Sequence, residues 1–323
     1  MKSILKVIRN NSSFNKVIRS AVKSFAFNSN KISKKLTLYW PVSGIVEIKK
    51  SHFSFKLKSE GNDALTNKLY YEQSWEDEII ELFKNLISKT KVFYDVGANI
   101  GIFSLLAEQL SPNTDIYCFE PNPVNVKRIK SNLKINKSTK IKVVPKAIGE
   151  KQGNLKFYVP KGNYTSDVSS FFNAHTKGFN DFGTEAIDVE VISLDDFTKE
   201  NKSSPNLIKI DIELYEYQAL KGSLNILKEG SPLIIIELFN DVVKRTINPE
   251  LDNELEQGLT LKTERLLSDY GYHFYLISNK GLLFVENLHS NPDSSMYLLT
   301  KQKLNKIFYL KSEFQNVAKE LFK

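Results

Sequence analysis

Residues 92–110 read VFYDVGANIGIFSLLAEQL, and the fold turns on that stretch. An apolar run ends on an acid, Asp95; Gly97 and Gly101 follow, and Ile102, Leu106 and Leu110 then recur at helical spacing. This is the pattern of a buried strand, a tight turn and a helix. Glycines at such a turn let backbone approach a ligand closely, and a helix start offers unpaired N–H groups. A carboxylate at the tip of a buried strand needs a partner, and the turn suggests that the partner is a ligand.

Working outward, short apolar runs at 92–96, 116–119, 141–145, 207–212 and 233–238 alternate with helical patterns at 101–110, 123–134 and 215–228. That alternation predicts a doubly wound α/β fold, a parallel sheet covered on both faces. Residues 154–159 and 187–193 alternate like antiparallel strands flanking a long polar stretch. After residue 265, YHFYLIS, GLLFVE and MYLLT predict an antiparallel finish. Upstream, IVEIKKSHFSFKLKS puts Phe53, Phe55 and Leu57 on one face, a small hairpin or sheet. Residues 61–73 are polar and read as a connection. A helix follows with Ser74 as its cap and Ile79, Ile80, Phe83, Leu86 and Ile87 on its apolar face. The expected organisation is a basic segment over 1–36, a small β extension over 37–73, the α/β domain over 74–303 and a helical tail over 304–323.

The net charge of +8 belongs to the tail at the front. Residues 1–36 hold nine Lys or Arg and no acid, which leaves 36 basic against 37 acidic residues in the body. A surface built to track nucleic acid carries its excess charge in the folded body, so nucleic acid is not an expected partner. Phe14, Val17, Ile18, Ala21, Val22 and Phe25 recur at helical spacing with Lys16, Arg19 and Lys23 between them. A helix of that kind lies on an anionic membrane surface or docks on its own domain, and periodicity does not separate the two. Charges interrupt every potential signal-peptide core, and no apolar run is long enough to span a bilayer. A single thiol, Cys118, fits a reducing compartment. The expectation is a cytoplasmic protein with peripheral contact at the inner face of the membrane. No Cys or His pairing suggests zinc, and no spacing demands another metal.

In a doubly wound sheet, ligands sit beyond the carboxyl ends of the strands. Asp95, Gly97, Asn99 and Gly101 stand at the first such end. Glu120, in YCFEPNP and 25 residues beyond Asp95, stands at the second, where an acid suits a ribose diol. A nicotinamide dinucleotide needs Gly-x-Gly-x-x-Gly for its pyrophosphate; here the middle glycine is absent and an acid precedes the turn. A carboxylate repels a pyrophosphate and favours a sulfonium or an amino group. S-adenosylmethionine has a ribose, positive charge and no phosphate, and so fits both acids.

The motifs DVGANIG, FEPNP, NLKIN, VISLDDF, LIKIDIELYEYQALKG and LIIIEL follow one another as in the FkbM family of S-adenosylmethionine-dependent methyltransferases, which this chain resembles over about residues 74–300. The resemblance implies a Rossmann-like class I methyltransferase fold, a seven-stranded sheet with an antiparallel last strand. It also implies O-methylation of a hydroxyl on a sugar, glycan or related small molecule. Asp95, Gly97, Asn99 and Gly101 would cradle the methionine end, Glu120 the ribose with Asn122 beside it, and Ala147 and Ile148 the adenine. Asp211 and Glu213 would lie nearest the methyl group. The family usually has glycine where this chain has Leu214, which implies a rearranged turn or a narrowed acceptor pocket.

An alcohol becomes a good nucleophile when its proton is withdrawn. Asp211 and Glu213 are the first candidates for that task, and Glu237, closing LIIIE, is a third. On a strand, Asp211 and Glu213 would share a face. The alternatives are that Asp211 binds the cofactor's amino group and Glu213 caps the next helix. The polar loop GNYTSDVSSFFNAHTKGFND brings Ser169, Ser170 and His175, and aromatic residues Tyr164, Phe171, Phe172, Phe179 and Phe182 that could stack on a sugar. Base-amino methylation would call for Asn/Asp-Pro-Pro-aromatic, which is absent. A scaffold that has lost its chemistry finds its one hint in Leu214.

Overall fold

The computed structural model describes residues 42–50, 53–60, 64–72, 76–161, 169–172, 183–239, 258–288 and 295–322, with positions 13 and 17. The amphipathic pattern over 1–36, apart from those two positions, lies outside the described residues, as do Ser74, Tyr164, His175, Phe179 and Phe182.

An antiparallel hairpin comes first, β1 (Ser43–Lys50) and β2 (Phe53–Glu60). Val46, Ile48, Phe55 and Leu57 are buried on its inner face, as their alternation requires. Residues expected to be a plain connection form a helix, α1 (Ala64–Glu72). Helix α2 (Asp77–Ile87) follows; Glu76, at φ 46°, is its N-cap and makes no side-chain capping bond. Six apolar side chains of α2 are buried, each worth about 1.5–3 kcal/mol.

The main sheet begins with β3 (Val92–Val96), and α3 (Ile102–Leu110) starts directly after the glycine turn. Then come β4 (Asp115–Phe119), α4 (Pro123–Asn136) and β5 (Ile141–Val144). A separate three-stranded sheet follows from β6 (Ala147–Ile148), β7 (Gly153–Pro160) and β8 (Thr184–Ile192), with β7 and β8 antiparallel as their sequences predict. Helix α5 (Leu194–Asn201) leads to β9 (Leu207–Ile210) and α6 (Glu216–Lys221), and a π turn over Ile226–Gly230 leads to β10 (Leu233–Leu238). Helix α7 (Leu259–Asp269) precedes β11 (His273–Ser278), β12 (Gly281–Val285), β13 (Ser295–Thr300), β14 (Phe308–Leu310) and α8 (Phe314–Leu321).

The strand order is β14-β12-β11-β13-β10-β9-β3-β4-β5. Strands β5, β4, β3, β9 and β10 are mutually parallel, and β13 runs antiparallel between β10 and β11. The seven strands from β11 to β5 thus have the expected plan of a class I methyltransferase, with β13 reversed. Two edge strands, β12 and β14, extend it to nine. Strand β14 falls in the segment read as a helical tail and precedes the helix there.

The sheet buries apolar side chains on both faces. Phe93, Ile116, Cys118, Leu207 and Ile235 pack with the hairpin, α2, α3 and α8; Tyr94, Phe119, Ile208, Ile210 and Ile236 pack with α5 and α7. The helix expected over 215–228 is interrupted at Gly222. There a Cβ would lie 2.0 Å from the Gly149 carbonyl oxygen, so only glycine permits that approach.

Candidate functional site

A cavity of about 230 Å³ opens at the carboxyl ends of β3, β4, β9 and β10. The chain reverses sharply there because Gly97, Asn99 and Gly101 all have positive φ. Gly97 is irreplaceable on steric grounds: a Cβ would sit 1.9 Å from the Asp211 carbonyl oxygen. The first turn and the end of β9 are therefore in direct backbone contact.

Asp95, Gly97, Asn99, Glu120, Ala147, Ile148, Asp211, Glu213 and Glu237 all line this cavity. Gly101 and Asn122 do not. Gly101 is the N-cap of α3, and Asn122 caps α4 by accepting from Val124 N at 3.0 Å. The Asn122 Nδ2 donates to Ser169 Oγ at 3.3 Å, and Ser169 itself lines the cavity. Ser170 is fully buried and donates to the Glu213 carbonyl at 2.6 Å, a clamp on the turn. Phe171 lines the cavity and lies against Tyr215, ring centroids 4.1 Å apart.

Glu120 is held by the backbone on both oxygens. Asn99 N–H donates to Oε2 and Asn122 N–H to Oε1, each at 2.8 Å. The Asn125 side chain adds a third hydrogen bond, which leaves acceptor capacity on the carboxylate for a further donor. Burial pushes its carboxyl up to about 7, with the Asn122 and Asn99 amides opposing. Asp95, 1% exposed, accepts from Ser104 Oγ at 2.6 Å. Burial raises it above the usual carboxylate range, and Lys209 and Ser104 offset part of that rise.

The sequence reading missed Lys209. It sits inside β9, 3% exposed, with Nζ 2.6 Å from Asp211 Oδ2 and 4.7 Å from the centre of the Phe103 ring. Burial alone would pull the ammonium down; Asp211, Glu76 and Asp95 together hold it above its ordinary value. Burial would likewise raise Asp211, but Lys209 holds it below, helped by a hydrogen bond from Glu237. Glu237 is pushed well up, first by burial and then by Asp211 and Glu213, and so donates its proton to Asp211. The visible signal was a lysine within the apolar run LIKI.

Strand β9 ends at Ile210, so Asp211 and Glu213 lie on the turn beyond it rather than on one face of a strand. They converge all the same: oxygens of Asp211, Glu213 and Glu237 lie within 4.8 Å of one another, a spacing that a metal ion could also bridge. Glu213 and Leu214 have φ of 54° and 78°. Leu214 thus holds left-handed backbone, the region that glycine enters most readily. Its side chain is 1% exposed and does not line the cavity; with Leu238 and Leu259 it lines a separate small pocket. Glu216, not Glu213, secures the turn by accepting from Ile212 N at 3.3 Å and Leu214 N at 3.2 Å.

Acids dominate the walls. Among the described lining residues the cations are Lys146, paired with Glu190 at 3.0 Å, and Lys209, paired with Asp211. Such a cavity favours a positively charged, ribose-bearing ligand over a pyrophosphate.

A family model described as the methyltransferase FkbM domain matches residues 95–274, more than half of the chain. The chain is 27% identical over 190 residues to the hexuronic acid methyltransferase AglP of Haloferax volcanii, covering 56% of this chain and 71% of that protein. It is 28% identical over 201 residues to methyltransferase sdnD of Sordaria araneosa, covering 55% and 72%. Among solved structures it is similar to methyltransferase FkbM of Methylobacillus flagellatus, at 19% identity and TM-score 0.39. That match covers 65% of this chain and 44% of that one. The strand order, the glycine turn, the acid-lined cavity and the family match agree: the chain belongs to the FkbM methyltransferase family, whose methyl donor is S-adenosylmethionine.

Proposed function

We propose that the protein O-methylates a hydroxyl of a sugar, glycan or related small molecule. The observation that carries this reading is the convergence of Asp211, Glu213 and Glu237 at the ends of two adjacent central strands. Strand order puts β9 and β10 on one side of β3, and β4 and β5, which lead to Glu120 and Ala147, on the other. The acids thus stand on the far side of the first turn from the ribose and adenine walls.

When bound, S-adenosylmethionine supplies an electrophilic methyl group for in-line displacement. Asp95, Gly97 and Asn99 would hold its methionine end, Glu120 its ribose diol, and Ala147 and Ile148 its adenine. The chain's own work is then to orient the acceptor and take its proton. Lys209 keeps Asp211 ionised, Glu237 donates to Asp211 and fixes its carboxylate, and Glu213 faces the same space. Asp211 and Glu213 are the groups placed to receive a hydroxyl proton.

The AglP relative is named for hexuronic acid, which offers both hydroxyl and carboxylate oxygens. A carboxylate acceptor would be repelled by the ionised Asp211, whereas a hydroxyl can donate to it. The basic segment over 1–36 would keep the enzyme at an anionic, cytoplasmic membrane face near lipid-linked glycans. Unchanged liposome binding after its deletion would remove that part of the reading.

The test is calorimetric titration with S-adenosylhomocysteine, with NAD as comparator and Glu120→Ala as control, followed by labelled methyl transfer to neutral sugars, uronic acids, oligonucleotides and peptides. Binding that weakens in the variant, with label entering a sugar ether, is the expected result. Label found in oligonucleotide or peptide, or no binding, overturns it.

A further inference from the structure

One acid lining the cavity carries an oxygen with no hydrogen-bond partner among the described residues. Glu76 lines the cavity, and its Oε2 is closed to solvent and accepts no hydrogen bond. The residue sits at φ 46° as the N-cap of α2, where a carboxylate commonly bonds the free amides of its own helix; this one makes no capping bond. Holding a non-glycine residue in left-handed backbone while forgoing that bond costs stability, and a buried unsatisfied carboxylate costs more. Such an arrangement persists where a ligand completes it.

The position of Glu76 identifies the ligand group. The charges of Lys209 and Asp211 act on it, and these belong to β9 and the turn just after it, across β3 from the adenine wall at Ala147 and Ile148. Lys209 already pairs with Asp211. The missing partner is a further cation with N–H groups, at the end of the cavity opposite the nucleoside. We propose that Glu76, which precedes the family-matched segment, binds the ammonium group of the cofactor's methionine moiety. This rests on the cofactor placement above and frees Asp211 for the acceptor. Burial, opposed by Lys209, pushes the Glu76 carboxyl up to about 7, as befits a group whose partner comes with the ligand.

The test compares S-adenosylhomocysteine with 5′-S-(3-carboxypropyl)-5′-thioadenosine, the same molecule without its amino group, on wild-type protein, Glu76→Gln and Glu76→Asp. A charge-assisted hydrogen bond predicts that Glu76→Gln weakens S-adenosylhomocysteine about tenfold to a hundredfold, with the deaminated analogue changed less than about twofold. Glu76→Asp, which retracts the charge without removing it, should fall between. Intact binding of the analogue also certifies that the variants fold. Equal weakening of both ligands, or no weakening of either, overturns the role of Glu76 and leaves the cofactor placement standing. Wild-type protein that binds neither ligand overturns both.

Discussion

Lys209 and Asp211 lie two residues apart, one inside β9 and one just past its end, and their side chains meet at 2.6 Å. One buried cation thereby answers three carboxyls, those of Asp211, Glu76 and Asp95. Lys209→Met should cost about 3–5 kcal/mol of stability near pH 7, because breaking a buried pair leaves uncompensated charge. The loss should shrink at pH 5, where the acids can take up protons. Adding Asp211→Asn should recover most of the stability and none of the methyl transfer. Urea unfolding of both variants at the two pH values checks this; a pH-independent loss would refute the electrostatic account.

Gly97→Ala introduces a Cβ 1.9 Å from the Asp211 carbonyl at a φ of +81°. It should destabilise the protein by more than about 2 kcal/mol and abolish S-adenosylhomocysteine binding. Gly153→Ala, where a Cβ meets nothing within 4 Å, is the control. Wild-type affinity in Gly97→Ala would show that the turn relaxes freely.

Burial places Glu76, Glu120 and Glu216 at about 7 in the folded protein, against an ordinary value of 4.5. A folded state that holds extra protons has a stability contribution complete below the unfolded value and lost as pH rises through the folded one. The melting temperature of the ligand-free protein should therefore fall between pH 5 and pH 8. Asp211 is shifted down instead, so its contribution disappears only at more acidic pH, outside that window. Glu216→Gln should flatten the fall in part. A melting temperature that rises across the window would contradict the assignment.

Leu214→Gly relieves a left-handed leucine, worth about 1–2 kcal/mol, but removes a buried side chain, worth about 2–5 kcal/mol. The net expectation is a modest loss of stability, with cofactor affinity within about twofold of wild type because Leu214 does not line the cavity. Thermal unfolding with parallel calorimetry reads both quantities.

Methyl transfer by the proposed proton-acceptor route should survive a chelator. Activity lost in EDTA and restored by magnesium would instead assign Asp211, Glu213 and Glu237 to a divalent cation, which their 4.8 Å spacing would accommodate.

The sequence disclosed most where one force dominates. Strands β3 and β10 matched their predicted bounds because continuous apolar runs leave few alternatives. Helix α1 went unread since NDALTNKLYYE shows little amphipathic contrast, and its burial depends on the hairpin beside it. Strand β14 is three residues long, too short to declare a period. At the site, the acids at strand ends were visible through their apolar neighbours. Glu76 was not: in WEDE it stands beside two ordinary first-turn acids, and backbone geometry alone sets it apart. Asn122 reads in sequence as a cofactor contact; its place before Pro123 also suits an N-cap, and it makes that cap while its amide reaches Ser169 at the cavity wall.

The side chain of Asn132 links the hairpin extension to the glycine turn. Asn132 Oδ1 accepts from Lys58 N at 2.8 Å, and its Nδ2 donates to the Ile100 carbonyl at 2.9 Å. Asn136 pairs with both the backbone N–H and the carbonyl of Lys56, and Gln109 does the same for Ser54. Carboxamides thus stand in for a neighbouring strand along an edge that would otherwise invite pairing with another chain. Prying the hairpin away would strip the Asn132 amide of the contact that orients it, and Ile100, one residue from Asn99 and Gly101, would lose its anchor in the same event. The extension is therefore a brace for the loop on which the ligand rests.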